Sequence, residues 1–288
     1  MVEDAQVMMN TAIDRIGEAR GLDAVAKSLT AKVKAFTRPT AIKNALSGSW
    51  LGHQLHPVLT DLPIGAFSAA TALDLTGGRE ASGAARRLVG LGILASAPTA
   101  MAGASDWSDM NGADKRVGLV HGLANAAATV MQTTSWIARR RGHRGVGVTL
   151  SLLALGITLG SAAIGGHLSY VKGVGVNRTA FQRTVRDWRD VAADIDIVEG
   201  RLNRVVVDEV PVLLVRQNGR LRAISAVCSH AGGPLDEGTL DARGCVTCPW
   251  HGSQFVLDDG SVERGPASVP QPRWDVRVDG GRVFVRSA

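Results

Sequence analysis

Four apolar stretches, at about 57–75, 88–105, 117–138 and 146–169, follow one another through the middle of this chain, and they restrict its fold more than any other feature. Each approaches the ~20 residues that a helix needs to cross a hydrocarbon layer of ~30 Å. Gly, Ala, Ser and Thr take many of the places where Leu or Ile would be expected, so two readings are open: four buried helices of a soluble bundle, or four membrane spans. Three features favour the membrane. Small residues are what helix packing in lipid prefers, and Gly156-x-x-x-Gly160 is one such pair. Trp50, Trp107, Trp136 and Tyr170 fall at span ends, where an aromatic belt lies. The charge sits in short connections, with Arg79, Arg86 and Arg87 in one and Arg139, Arg140, Arg141 and Arg144 in another.

Four spans put both termini and the 106–116 connection on one face and the two Arg-rich connections on the other. The positive-inside rule makes the Arg-rich face cytoplasmic. Lys32, Lys34, Arg38 and Lys43 crowd the opposite face, however, so the sequence leaves the side open. The net charge of +6 is explained by these membrane-edge residues and gives no reason to invoke nucleic acid. Residues 1–50 read as amphipathic helices, with Ile13, Ile16, Leu22, Val25 and Leu29 at helical spacing, lying against the membrane surface or the C-terminal domain. The first twenty residues lack a basic start followed by an apolar core, so no cleavable signal peptide is expected there.

Five of the seven histidines belong to this module, and four of them lie near span ends on one side. His53 and His56 sit just before the first span, His121 lies near the start of the third, and His167 near the end of the fourth. Alternating span direction brings all four to one face, with Asp61 not far below. Ionisable groups inside a membrane are functional candidates by default. Neutral imidazoles on neighbouring helices can ligate a haem iron, here as haem b, or a transition-metal ion. The alternative is interfacial histidines bonded to carbonyls or water, with Asp61 capping a break at Pro63. Trp50 to Gly65, Asp106-Trp107, Val117 to His121 and Gly165 to Tyr170 together resemble a four-helix bacterial membrane domain of unknown function, some members of which are fused to a C-terminal Rieske domain. The resemblance covers residues 50–178 and implies a multi-pass protein of the bacterial cell membrane, in contact with lipid.

Beyond a linker at 179–194, residues 195–288 change character. Short runs at 204–208, 212–216, 220–224, 275–278 and 282–286 are separated by Gln217-Asn-Gly, Asp258-Asp-Gly and Asp279-Gly-Gly, which are hairpin signals. They imply a small antiparallel β sandwich or barrel. Set among them are Cys228-Ser-His230 and Cys248-Pro-Trp-His251, with seventeen residues between His230 and Cys248. Each pair supplies a soft thiolate and an imidazole from a tight loop. Such a set suits either a structural zinc of two Cys and two His or a 2Fe-2S cluster in which two His replace two Cys on one iron. Zinc sites seldom place Cys and His two apart.

The flanks Ala226 to Gly233 and Cys248 to Phe255, with the later Gly265-Pro-Ala-Ser, resemble the Rieske family along essentially the whole domain. The resemblance implies a 2Fe-2S cluster held by Cys228, His230, Cys248 and His251, with Pro266 capping it from a third loop. The cytochrome bc type is similar but carries a disulfide-forming cysteine in each loop, where this chain has Gly233 and Trp250. Its sulfur-bonding tyrosine is Phe255 here, although Ser253 keeps a hydroxyl nearby. Fewer donors lower the potential, so a ferredoxin-like value of roughly −150 to 0 mV is expected. Cys245 is the third cysteine and reads as a packed or half-exposed free thiol.

No histidine follows His251 and no D/E-x-x-H pattern occurs, so the mononuclear iron site of a Rieske oxygenase is missing. The expectation is a multidomain chain: a helical segment at 1–50, a four-span α-helical bundle at 51–178, the linker, and an all-β Rieske domain. It would be an electron-transfer component, not a stand-alone enzyme. Its partners would be a redox protein, the quinone pool, or both. Either the membrane histidines hold a second redox centre that relays electrons, or the spans are a scaffold for a ferredoxin serving a soluble oxygenase or reductase.

Overall fold

The computed structural model describes residues 2–288, with side chains from residue 7 onward. It divides into two compact units, residues 1–38 with 55–174 and residues 39–54 with 175–288.

The first unit is helical. α1 (Val2–Glu18) and α2 (Asp23–Phe36) precede four long helices, α4 (Leu55–Thr76), α5 (Ser82–Ser108), α6 (Gly112–Arg140) and α7 (Arg144–Gly166), while α3 (Thr40–Ser47) belongs to the other unit. α4 packs on α5, α5 on α6, α6 on α7 and α7 back on α4, a closed four-helix bundle. Large apolar side chains face outward, including Leu62, Leu75, Leu94, Leu123, Val130 and Leu153. Small and polar ones face inward, among them Ala70, Ala102, Gln132, Ser135, Ser151, Ala154 and Ser161. A bundle in water has the reverse distribution, whereas lipid rewards close packing of small residues.

Several sequence expectations change here. Among the described residues, three helical segments, Leu55–Thr76, Ser82–Ser108 and Arg144–Val171, are long and apolar enough to cross a membrane, against four expected. α6 is long enough, but Asn125, Thr129, Gln132, Thr133, Thr134 and Ser135 lower its hydropathy. Gly156 and Gly160 meet nothing within 4 Å and are not a close-approach pair. The tight approaches are elsewhere: a Cβ on Gly92 would lie 2.4 Å from Phe67, and one on Gly90 3.0 Å from Trp136. Trp107 is a core residue whose Nε1–H donates to Lys115 O at 2.8 Å, not part of a belt. α4 runs through Pro63 without a break, and Asp61 is exposed on it.

The amphipathic N-terminal helices pack on the helical unit, α1 against α6 and α2 against α5 and α6. Ile13 is buried with Val117 and Leu168, and Leu22 and Leu29 pack beside Ala26 and Trp107, while Val25 points outward. Arg116 fixes the corner between α1 and α2: its Nη1 donates to Gly17 O at 2.5 Å, and its Nε pairs with Asp23 at 2.7 Å. That pairing satisfies one of the carbonyls orphaned at the end of α1.

The second unit is built on two antiparallel sheets. The strands are β1 (Arg189–Ala193), β2 (Leu202–Val207), β3 (Val210–Gln217), β4 (Arg220–Ser225), β5 (Thr239–Leu240), β6 (Cys245–Thr247), β7 (Gln254–Val256), β8 (Val262–Arg264), β9 (Arg273–Asp279) and β10 (Arg282–Ser287). Six form one sheet in the order β1-β10-β9-β4-β3-β2, and four the other in the order β5-β6-β7-β8. β1 lies inside the stretch read as a linker. The turn after Gln217 is made by Asn218 and Gly219, both at positive φ, as a tight hairpin demands. β3 explains the unbroken run Val212-Leu-Leu-Val215. Side chains alternate across a strand, so Val212 and Leu214 fill a core with Trp274, Val283 and Val285, while Leu213 and Val215 fill another with Cys228, Cys248 and Phe255. The second core underlies the site.

Candidate iron–sulfur site

Two loops of the same design face each other. In the first, Cys228 N–H donates to Gly233 O at 2.8 Å, and Gly232 N–H returns to Cys228 O at 2.9 Å. In the second, Cys248 N–H donates to Ser253 O at 2.8 Å, and Gly252 N–H returns to Cys248 O at 3.1 Å. Gly232 and Gly252 sit at φ +83° and +75°, the left-handed conformation that reverses the chain without a Cβ clash. The backbone N–H groups of His230 and Ala231 are directed at the Cys228 sulfur, and those of Trp250 and His251 at the Cys248 sulfur. Each loop thus presents one sulfur in a cradle of N–H donors, a setting that stabilises negative charge.

The structure brings all four sequence-derived candidates to this point. Cys228 and Cys248 are buried and hydrogen-bonded to each other. Donating that bond pushes the Cys228 thiol up, with burial adding to it, whereas accepting it holds Cys248 down, at about 6. The imidazoles of His230 and His251 stand edge to face, with centroids 5.0 Å apart. The donors sort into a sulfur pair and an imidazole pair, and among the described residues no three His, Cys, Asp or Glu side chains meet about a single ion position. Gly233 leaves room beside the second loop, since a Cβ there would lie 2.8 Å from Cys248 Sγ and 3.1 Å from the Trp250 ring. A paired set of two thiolates and two imidazoles with N–H donors on the sulfurs fits a 2Fe-2S cluster of the Rieske kind.

A third loop, between β8 and β9, closes over the other two. Ala267 N–H donates to Ser253 Oγ at 3.0 Å, and Ser229 Oγ donates to Val269 O at 2.7 Å. Gln271, which sequence reasoning passed over, holds the first loop in place. Its Oε1 accepts from Ser229 N–H at 2.9 Å, and its Nε2 donates to Ser225 O and Val227 O at 2.8 Å each. A glutamine 42 residues from its partner carries no motif, so no signal in the sequence marked it. Cys245 is buried on β6, and burial pushes its thiol up.

The membrane-side histidines are distributed otherwise. His53 belongs to the β unit, where its Nδ1–H donates to Gln54 O at 3.0 Å. His56, His121 and His167 belong to the helical unit. His56 and His121 stand edge to face with centroids 6.4 Å apart. His56 Nδ1–H donates to Thr99 O at 3.0 Å, and His121 Nδ1–H to Ser161 O at 2.8 Å. Asn125 Nδ2–H reaches His121 Nε2 at 3.3 Å. His167 is buried in a π-helical turn, His167–Val171, with neither ring nitrogen hydrogen-bonded. A buried carboxylate of the long helices, Asp74, lies outside the sequence reading. Asp74 makes a bidentate pair with Arg139 at 2.8 and 2.5 Å, with Arg144 3.6 Å away.

An antiparallel β domain carrying paired Cys/His loops defines an iron–sulfur protein of the ferredoxin type. The chain belongs to the Rieske [2Fe-2S] domain family through residues 187–275, and residues 52–178 match a family described as predicted membrane protein (DUF2231). Family membership makes the cofactor a 2Fe-2S cluster. The ferredoxin component of the alkene monooxygenase system of Xanthobacter autotrophicus is 34% identical over 99 residues, which are 34% of this chain and 80% of that protein. The 3-phenylpropionate/cinnamic acid dioxygenase ferredoxin subunit of Escherichia coli is 35% identical over 91 residues, 31% of this chain and 84% of that protein. Apoptosis-inducing factor 3 of Homo sapiens is 36% identical over 93 residues, 32% of this chain, which spans only 15% of that protein. Among solved structures, the ferredoxin of carbazole 1,9a-dioxygenase from Nocardioides aromaticivorans is 31% identical, with 35% of this chain aligned to 98% of that one at a TM-score of 0.34.

Proposed function

We propose that Cys228, His230, Cys248 and His251 hold the 2Fe-2S cluster and that the chain is a membrane-bound Rieske ferredoxin passing single electrons to a soluble oxygenase or reductase. The observation that carries this reading is the pair of matched loops, which sets two sulfurs in mutual contact and two imidazoles 5.0 Å apart. When bound, the cluster supplies a one-electron acceptor whose potential lies above that of an all-thiolate cluster, because neutral imidazoles leave it less negative. The chain's residues do the rest. The N–H groups of Ala231 and Trp250 favour negative charge at the sulfurs, and the buried third loop keeps water away. Gln271 holds the first loop rigid, so the site changes little in shape when its charge changes. Trp250, 57% exposed beside His251, offers a partner an aromatic surface next to a ligand. The oxygenase-system relatives support the choice of acceptor; the quinone pool is the competing source or sink.

A second reading gives His56 and His121 a redox metal, haem b or a transition-metal ion. It is supported by their 6.4 Å spacing and by the Nδ1–H to carbonyl bonds, an arrangement that metal-bound histidines also use. The scaffold reading has the better support, because both ring nitrogens of His121 already bond within the bundle, tying α6 to α7. One experiment tests both. Detergent-purified full-length protein is examined by reduced-minus-oxidised optical spectra and by EPR of the reduced sample. A Rieske signal alone, with a midpoint between roughly −150 and 0 mV, is the expected result. An added Soret and α band would establish the second centre, and absence of the Rieske signal from iron-replete protein would overturn the ligand assignment.

A further inference from the structure

β8 is an edge strand of the four-stranded sheet, so one side of it is left without a ladder partner. Arg264 pairs inward with Gln254 on β7, and the backbone groups of Glu263 and Gly265 consequently point outward. Asn44 of α3 meets both. Its Nδ2 donates to Glu263 O at 2.9 Å, and its Oδ1 accepts from Gly265 N–H at 2.9 Å. One side-chain amide thus stands in for the next strand and satisfies a donor and an acceptor that would otherwise be orphaned. Arg264 Nη1 adds a bond to Thr40 Oγ1 at 3.0 Å. Ser47, one turn further along α3, is fully buried against Gly265, where a Cβ would come within 2.9 Å of its Oγ. Asn44 and its partners are 219 and 221 residues apart in sequence.

The segment that α3 holds is the start of the third loop. From Gly265 the chain runs through Ala267, bonded to Ser253 of the second Cys/His loop, and Val269, bonded to Ser229 of the first. Residues 265–268 are all buried. We propose that α3, with Asn44 as its principal contact, is a positioning element for the cluster: it fixes the third loop from outside, and through Ala267 and Val269 fixes the two ligand loops and the dryness of their surroundings. The proposal rests on the reading that Cys228, His230, Cys248 and His251 hold the 2Fe-2S cluster. It makes residues before the first long helix part of the redox site, although they lie outside the 187–275 stretch that matches the Rieske family. Hydrogen bonding and solvent access around a cluster set its potential, so the clamp has a redox consequence as well as a structural one.

The test uses the full-length protein in detergent, with EPR, a redox titration and amide hydrogen exchange on residues 263–267. Asn44→Ala should keep the Rieske EPR signal, speed exchange at Gly265 by about tenfold, and move the midpoint upward, because water reaching the loop favours the more negative reduced form. Ser47→Leu, which pushes α3 away from Gly265 by bulk instead of removing a bond, should move both readouts the same way. Asn44→Asp keeps the acceptor for Gly265 N–H and should restore its protection. Unchanged exchange in Asn44→Ala would overturn the clamp, and faster exchange with an unmoved midpoint would reduce α3 to a structural tether and overturn the positioning role. Failure of the ligand reading looks different, since the wild-type protein would then show no Rieske signal at all.

Discussion

At the scale of residues, the site is a matter of which atoms are left out as much as which are present. Gly233 is the sharpest case. Its missing Cβ would sit 2.8 Å from Cys248 Sγ, the atom proposed to hold iron, and 3.1 Å from the Trp250 ring. Gly233→Ala should therefore lower cluster occupancy at least several-fold, read as the ratio of visible absorbance to protein, while circular dichroism of the β domain changes little. Cys248→Ser goes further, since a hydroxyl is a poor substitute for a soft thiolate and metal binding stabilises the loops that supply it. That variant should be colourless and EPR-silent; a brown, EPR-active preparation would refute the assignment of Cys248. His251→Cys should instead retain a 2Fe-2S centre at a markedly lower midpoint, because a charged thiolate replaces a neutral imidazole. All of these positions except Gly233 were readable as candidate ligands from spacing alone. Gly233 entered only as the place where a bc-type cysteine is missing, and its steric role appears once the second loop lies against it.

At the scale of elements, α4, α6 and α7 are joined by the Asp74–Arg139 pair, whose side chains are 1% and 3% exposed, with Arg144 beside it. Two ions taken this far from water gain little over an apolar pair, but removing one strands the other. Asp74→Asn should cost about 3–5 kcal/mol by that argument, seen as a lower midpoint of thermal unfolding in detergent. Replacing both ions together, with Asp74→Leu and Arg139→Met, should recover most of the loss. The sequence showed Asp74 near the end of an apolar run and Arg139 in an Arg cluster, but pairing across 65 residues leaves no periodic trace. The same reason divides what was legible from what was not. Long helices and the strands β2, β3, β4, β9 and β10 announce themselves by local period and by Asn-Gly or Gly-Gly turns. β5 to β8 have two or three residues each and owe their shape to the loops they carry. α3 reads as one more amphipathic helix, and nothing within its own eight residues reveals that its partner is the edge of β8.

For the whole molecule, chain topology carries a prediction about membrane crossings, where composition gives three candidate spans among the described residues. Residues 39–54 and 175–288 belong to one compact unit, joined by the bonds of Asn44, so a chain that crosses lipid between residues 55 and 174 has to end on the side where it began. We predict an even number of crossings, with α6 as the one missing from the three apolar helices found among the described residues. Its most polar mid-helix residues, Asn125, Gln132 and Ser135, are half-buried or buried. Gln132 is bonded to Ser151 at 2.8 Å, Ser135 to Gly147 O at 2.6 Å, and Asn125 to Ser161 at 2.9 Å, while Leu123 and Val130 face outward. A helix whose polar groups are all met inside the protein can cross lipid at small cost. Single cysteines probed with a membrane-impermeant maleimide, in intact cells and inverted vesicles, test this directly. With α6 crossing, Glu80→Cys and Gly142→Cys label from one side, and Asn111→Cys and Ala288→Cys from the other. If α6 stayed on one side, Ala288→Cys would label together with Glu80→Cys, and Asn111→Cys with Gly142→Cys. That pattern would place α3 and β8 on opposite faces of the membrane and break the Asn44 clamp, so the labelling tests the packing of the β unit as well as the course of the chain.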